Sequence, residues 1–344
     1  MSRIIPPISG FLLVFPLCLI VAADASEQFG NIMTVNGAIA PEDMGTTLVH
    51  EHVLVDFIGA DEITPERYDR EEAFNTILPH LQEVKALGVQ TFIECTPGFI
   101  GRDPLLLQQL ARKTGLHLLT NTGIYGAADD KFVPEQMHGE SADSLAAQWI
   151  QEWENGIDGT GIKPGFIKIG VDPGDLSDVD EKLVRAAART HLKTGLTIAS
   201  HTGNGPAEQQ IEILAREGVA HDAFVWVHAH GVQDTSRLVQ AAERGAWISL
   251  DNVSASSIQR HLEALLALRK NNLLHRALLS HDAGWYHVGE PEGGKFRPYT
   301  ALFHEFIPAM HEAGFSPGEI DQILKINPQQ CFQIRIRKTE TGIK

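Results

Sequence analysis

Two histidines one residue apart, His50 and His52, follow the run Thr47-Leu48-Val49. A β-strand repeats every two residues, so both imidazoles project from one face, while Glu51 points the other way and is expected to be structural. A pair of imidazoles on one face can hold a divalent metal ion. In a chain with 16 histidines such a pair arises easily by chance, so its meaning depends on what other strand ends place beside it.

Similar groups close several other apolar runs. His201 ends 196–201, His228 ends 223–228, Asp282 ends 277–282, and Lys168 lies within Gly165-Phe166-Ile167-Lys168-Ile169-Gly170. Neutral imidazole and carboxylate are ordinary ligands for a divalent ion. Lys168 could be an ordinary ion-paired lysine. Its strand is apolar on both faces, however, and burial there favours the uncharged amine. His230 shares a face with His228 and is the alternative ligand. His228 directly follows the apolar run and is preferred, leaving His230 to support the ligands from behind or to face the substrate. His281, adjacent to Asp282, points to the opposite face and is not expected to be a ligand.

These groups need a scaffold that brings strand ends together. Strand-like runs at 46–50, 89–95, 116–123, 165–170, 196–201, 223–228, 246–250 and 277–282 alternate with helical patterns. The helices fall at 70–88, 104–115, 144–157, 179–195, 206–218, 235–245, near 262–268 and at 299–314. Eight strand-then-helix units predict an α/β fold, a (β/α)8 TIM barrel, with a short helical cap at 316–326. In that architecture the active site lies at the carboxyl ends of the strands, where the groups above fall. No G-x-G-x-x-G follows the first strand, and no phosphate-binding G-x-x-x-x-G-K-[ST] occurs.

Composition narrows the function. The formal charge of −16 disfavours nucleic acid and anionic membrane as partners. Met1-Ser2-Arg3, the apolar stretch 11–22 and Ala23-Asp24-Ala25 have the layout of a secretory signal peptide, with an uncleaved anchor as the alternative. The expected division is a leader at 1–25 and a single domain at 26–344, exported to a periplasm or secreted, with no membrane association after cleavage. Cys95 and Cys331 would then remain, and they are expected to be unpaired.

The ordered set Thr47-Leu48-Val49-His50-Glu51-His52, Gly165-Phe166-Ile167-Lys168, Ser200-His201-Thr202-Gly203, Trp226-Val227-His228-Ala229 and Ser280-His281-Asp282-Ala283-Gly284-Trp285 resembles the phosphotriesterase family of the amidohydrolase superfamily. The resemblance implies two divalent ions, zinc by preference, with manganese, cobalt or iron also compatible. His50, His52 and Asp282 would hold one ion and His201 with His228 the other, bridged by Lys168 carboxylated on its amine. It further implies hydrolysis of an ester-type bond (phosphotriester, lactone or carboxyl ester) by a hydroxide between the ions, with Asp282 accepting the proton. A homodimer would suit the family.

Selectivity in such a fold resides in the loops. The segment 284–298 reads as a partly mobile lid carrying Trp285, Tyr286, His287, Lys295 and Arg297. Its mixture suits a small ester-like molecule with an apolar body and an anionic end. Tyr125 is expected to line the same site. The rival readings are an amidohydrolase acting on an amide or cyclic amide, a metal-dependent nuclease, and a non-catalytic metal-binding protein.

Overall fold

A computed structural model describes residues 30–339, so the leader expected at 1–25 lies outside the described residues. A hairpin that the sequence reading missed comes first, with β1 (Ile32–Thr34) antiparallel to β2 (Gly37–Ile39). Strand–helix alternation follows: β3 (Thr47–Val55), α1 (Arg70–Ala86), β4 (Thr91–Glu94), α2 (Pro104–Thr114), β5 (His117–Leu119) and β6 (Asn121–Thr122). Next come α3 (Glu135–His138), α4 (Ala142–Asn155), β7 (Phe166–Gly170), α5 (Asp178–Thr194), β8 (Ile198–His201) and α6 (Ala207–Arg216). The chain continues through β9 (Phe224–Val227), α7 (Thr235–Glu243), β10 (Trp247–Leu250), α8 (Ile258–Lys270), β11 (Ala277–Leu279) and β12 (Gly284–His287). The helical end contains α9 (Ile307–Glu312), α10 (Pro317–Asp321) and α11 (Asn327–Phe332), with π-helical turns at Leu302–Phe306 and Gln322–Ile326.

The strands form two parallel sheets, ordered β12-β3-β4-β5 and β11-β10-β9-β8-β7-β6. They meet at two places. Only Thr120 separates β5 from β6. On the other side the Asp282 amide donates to the His50 carbonyl at 3.0 Å, and the His52 amide to the Ala283 carbonyl at 2.9 Å.

Alternation along the strands sorts residues between a helix-facing layer and an inner layer. Val49, Ile93, Leu119, Phe166, Ala199, Val225, Trp247 and Leu278 share one buried cluster with Cys331 and Phe332 of α11. Two residues further along, period-2 spacing puts Lys168 above Phe166 and His201 above Ala199. In β3 the register against β4 shifts between Leu48 and Glu51. Such an irregularity re-aims side chains. Here Val49 joins the inner apolar layer while His50 still lies beside His52.

Helix ends are set by local chemistry. Asp69 accepts from the Glu71 and Glu72 amides, Asp103 from those of Leu105 and Leu106, and Ser177 forms a capping box with Asp180. Cys95 and Cys331 are free and buried. Among the described residues no helix is long and apolar enough to cross a membrane.

Candidate metal centre

The two imidazoles of β3 aim at one atom. His52 Nε2 lies 3.1 Å from Asp282 Oδ1, and His50 Nε2 lies 3.6 Å from the same oxygen. His50 Nε2 and Asp282 Oδ1 are buried and have no hydrogen-bond partner. Unpartnered buried polar atoms are costly, so this arrangement calls for a cation among them. One donor atom each from His50, His228 and Asp282 lie within 4.8 Å of one another, close enough for one ion.

Asp282 reaches this position through backbone geometry. It follows β11 with φ 52°, and Gly284 just beyond has φ +100°. A Cβ at Gly284 would lie 1.8 Å from the His52 carbonyl oxygen, so only glycine lets the chain pass so close. Burial alone would raise the Asp282 carboxyl. The His52 contact and the charges of His228 and Lys168 outweigh it and hold the group well below the usual carboxylate range.

The other sequence-predicted ligands gather around this point. Lys168 is only 2% exposed and is level with Ala199 across β7 and β8. His201 ends β8, and its ring centroid is 4.4 Å from that of His228. His228 in turn lies 4.9 Å from His50. Burial first, then the Lys168 charge, pushes His201 down to about 3 and His50 well below its usual value. Burial likewise lowers His228 far, against the opposing pull of Asp282. Neutral imidazoles are the ligating form.

His230 is set further out. Its ring is 5.9 Å from His228 and stacks on His261 at 5.3 Å. Its Nδ1 is buried without a partner, and burial pushes it down to about 4.

Two supports were not singled out from sequence. Asp251, just past β10, accepts from the His228 amide at 2.8 Å and from Ser249 Oγ at 2.6 Å. Its Oδ2 lies 3.6 Å from His50 Nδ1 and 3.4 Å from His228 Nδ1, and burial raises its carboxyl to about 7. The rule that found His201 and Asp282, a polar residue at a strand end, would have found it. The second is Thr96, whose hydroxyl is 2.8 Å from His52 Nδ1.

Around the mouth, Tyr125 stands 5.0 Å from His201 and Trp285 stands 4.6 Å from His52. Phe57, 38% exposed, and Phe132 extend this aromatic wall, and neither was expected. Arg297 donates to the carbonyls of Asp282 (3.2 Å) and Val253 (3.3 Å), which holds it at the rim.

Two expectations need correction. Tyr286 does not face the site: it is buried against α1, where its hydroxyl donates to Glu72 at 3.1 Å. Alternation explains this, because Trp285 and Tyr286 are neighbours on β12 and must point to opposite faces. Nor is 284–298 a free lid at its ends. Gly284–His287 pairs with β3, and Gly284 and Arg297 exchange two backbone hydrogen bonds of 2.9 Å.

The sequence profile of the phosphotriesterase family matches residues 30–332. A phosphotriesterase homology protein of Escherichia coli is 31% identical over 294 residues, covering 84% of this chain and 98% of that protein. An aryldialkylphosphatase of Saccharolobus solfataricus is 29% identical over 308 residues, covering 86% and 97%. An N-acetyltaurine hydrolase of Mus musculus is 26% identical over 354 residues, covering 90% and 100%. Among solved structures, an organophosphorus hydrolase from Deinococcus radiodurans superposes with a TM-score of 0.78 at 26% identity, covering 89% of this chain and 97% of that one. From its profile match and its relatives alike, the chain belongs to the phosphotriesterase family.

Proposed function

We propose that this protein is a binuclear metal-dependent hydrolase of ester-type bonds, built on a closed (β/α)8 barrel. The observation that carries the metal reading is the convergence of His50 Nε2 and His52 Nε2 on the unpartnered Asp282 Oδ1. Support for closure comes from the backbone bonds between the 282–283 turn and β3, and from the likeness to the Deinococcus enzyme. His50, His52 and Asp282 would hold one ion, His201 and His228 the second, and carboxylated Lys168 would lie between them.

When bound, such ions, zinc by preference, supply a water-derived nucleophile near neutral pH and polarise the bond under attack. The remaining work falls to the chain. Asp282, ionised at neutral pH, accepts a proton at its carboxylate and passes it outward. Tyr125 and Trp285 pack the apolar part of the substrate and exclude water from the reacting centre. Arg297 and His230 face an anionic part. The substrate is thus a small ester-like molecule, with neither nucleic acid nor membrane as a partner.

An amide is the second reading. It is favoured by the relatives named N-acetyltaurine hydrolase and by the cationic rim at Arg297. One experiment tests both. Metal content of the purified protein is measured, the ions are removed by chelation, and activity against an aryl phosphotriester, a lactone, a carboxyl ester and an N-acyl amide is followed on adding back zinc, manganese or cobalt. A metal pair per chain and restored ester hydrolysis are expected. Fully active protein with fewer ions rejects the binuclear reading, and cleavage confined to the amide selects the second one.

A further inference from the structure

Arg260 and Arg297 come together beside His230. Arg260 Nη1 donates to the His230 carbonyl at 3.4 Å, and Arg297 donates to the carbonyls of Asp282 and Val253. Behind burial and the stacked His261, the charges of Asp282, Arg260 and Arg297 all bear on the His230 ring. Both guanidinium groups thus stand at the carboxyl ends of β9, β10 and β11, next to the candidate ligands His228 and Asp282.

Neither arginine is ion-paired among the described residues, whereas Arg67, Arg102, Arg237 and Arg269 each hold a carboxylate. The chain has 44 acidic against 28 basic residues, so a shortage of carboxylates does not explain this. A guanidinium has five N–H donors, and the carbonyl contacts take one from Arg260 and two from Arg297. The remaining donors are free to meet a ligand. Helix stability does not explain Arg260 either. It lies in the first turn of α8, which has no acidic residue and no side-chain cap, and the helix dipole opposes a cation there.

The rest of the mouth has the other polarity. Phe57 follows β3, Tyr125 and Phe132 follow β6, and Trp285 lies on β12, and together these rings form the aromatic wall. The candidate ligands lie between the two regions, with His52 against Trp285 and His228 beside His230. We propose that Arg260, together with Arg297, clamps a negatively charged group of the substrate: a carboxylate, sulfonate or phosphate. The substrate then carries an anion on one side of the cleaved bond and an apolar group on the other. The planar fork of arginine suits such oxyanions. Arg297 touches the carbonyl of Asp282 itself, which places the charge only a few bonds from the bond under attack. Neutral phosphotriesters lack this contact and should be poor substrates. The proposal deepens the hydrolase reading above and rests on it for the position of the reacting bond.

A matched pair of esters tests the clamp: the butyryl ester of meta-hydroxybenzoate and that of methyl meta-hydroxybenzoate, which differ by a single charge. The intact protein should show the higher kcat/KM for the anionic member. Arg260→Gln should lower the anionic-to-neutral ratio by about 10-fold or more, chiefly through KM, as loss of a charged hydrogen bond does. Arg260→Lys keeps the charge without the fork and should lower it less. Arg260 is exposed, so neither replacement disturbs the core. An intact protein with no preference for the anion, or a ratio unmoved in Arg260→Gln, overturns the proposal.

Calorimetric binding of hexanoate, hexanesulfonate and hexyl phosphate, with hexanol as the neutral control, separates the clamp from the chemistry. At least one anion should bind more tightly than the alcohol, and Arg260→Gln should weaken it by about 10-fold. The tightest of the three identifies the anion. No preference over the alcohol, or equal binding of the anions to Arg260→Gln, overturns the clamp. If neither ester is cleaved while binding still depends on Arg260, the clamp stands and the ester reading falls.

Discussion

Glu51 accepts from the amides of both residues that flank Asp282. Its Oε1 accepts from the His281 amide (2.9 Å), His281 Nδ1 (2.7 Å) and Ser280 Oγ (2.7 Å), and its Oε2 accepts from the Ala283 amide at 2.9 Å. His281 Nε2 in turn accepts from the Leu302 amide at 2.9 Å, so its proton is on Nδ1. The glutamate between the two histidines thus secures the left-handed turn at Asp282 from behind. Glu51→Gln should be disruptive despite its equal size, because both oxygens are used and the new NH2 must face another donor. A loss of about 2–3 kcal/mol is expected, as for breaking a buried charged hydrogen-bond cluster. Chemical denaturation checks this, and metal content should fall with it. Unchanged stability and metal content would show that the turn holds without the carboxylate.

Adjacent residues of β12 make a controlled comparison. Trp285 packs on His52 and Phe57 at the mouth, whereas Tyr286 is buried against α1. Trp285→Ala should raise KM for substrates with an apolar body by roughly tenfold, in line with about 1–1.5 kcal/mol for an aromatic contact. Tyr286→Phe should leave kcat and KM unchanged while costing about 1 kcal/mol of stability through the lost bond to Glu72. Steady-state kinetics beside thermal unfolding separates the two. A kinetic effect at Tyr286 as large as at Trp285 would contradict their opposite orientation.

Much of the site could be read from the chain because a strand end is a local signal. His50, His52, Lys168, His201, His228 and Asp282 each follow or sit in an apolar run, and parallel strands bring such ends to one side. Thr96 gave no comparable signal. Its contact with His52 Nδ1 depends on which rotamer reaches that ring from a neighbouring strand, and spacing along one strand does not encode that. The strand at Gly284–His287 was hidden for another reason. Its glycine marks a turn in sequence, whereas its pairing with β3 is a tertiary contact that overrides local preference. Tyr286 was misplaced by treating a segment as a loop, where alternation has no meaning.

Export is testable from the first residues alone. If the leader at 1–25 is removed, intact mass of protein recovered from periplasm or medium should correspond to a chain starting at Ser26. A full-length mass, or retention in the membrane fraction, would replace cleavage with an anchor.

Acid should weaken the fold through His191, which is not among the candidate ligands. This buried ring donates from Nδ1 to the Leu196 carbonyl at 2.8 Å, while Nε2 accepts from the Arg337 amide at 2.9 Å. Only the neutral ring satisfies both, and it ties the C-terminal segment to α5. Burial, followed by the lesser and opposing pull of the Leu196 hydrogen bond, leaves its pKa at about 4. The unfolded chain, with an ordinary histidine value of about 6.5, binds the proton more readily between these limits. The contribution of the neutral ring is therefore complete above pH 6.5 and is lost as pH falls towards 4. Comparing the protein with His191→Leu by urea denaturation isolates this group from the other buried histidines. The stability difference should be constant above pH 7 and shrink by on the order of 3 kcal/mol by pH 4, at about 1.4 kcal/mol per pKa unit. A difference that stays flat from pH 8 to 4 would mean that the His191 ring accepts a proton as easily when folded as when unfolded.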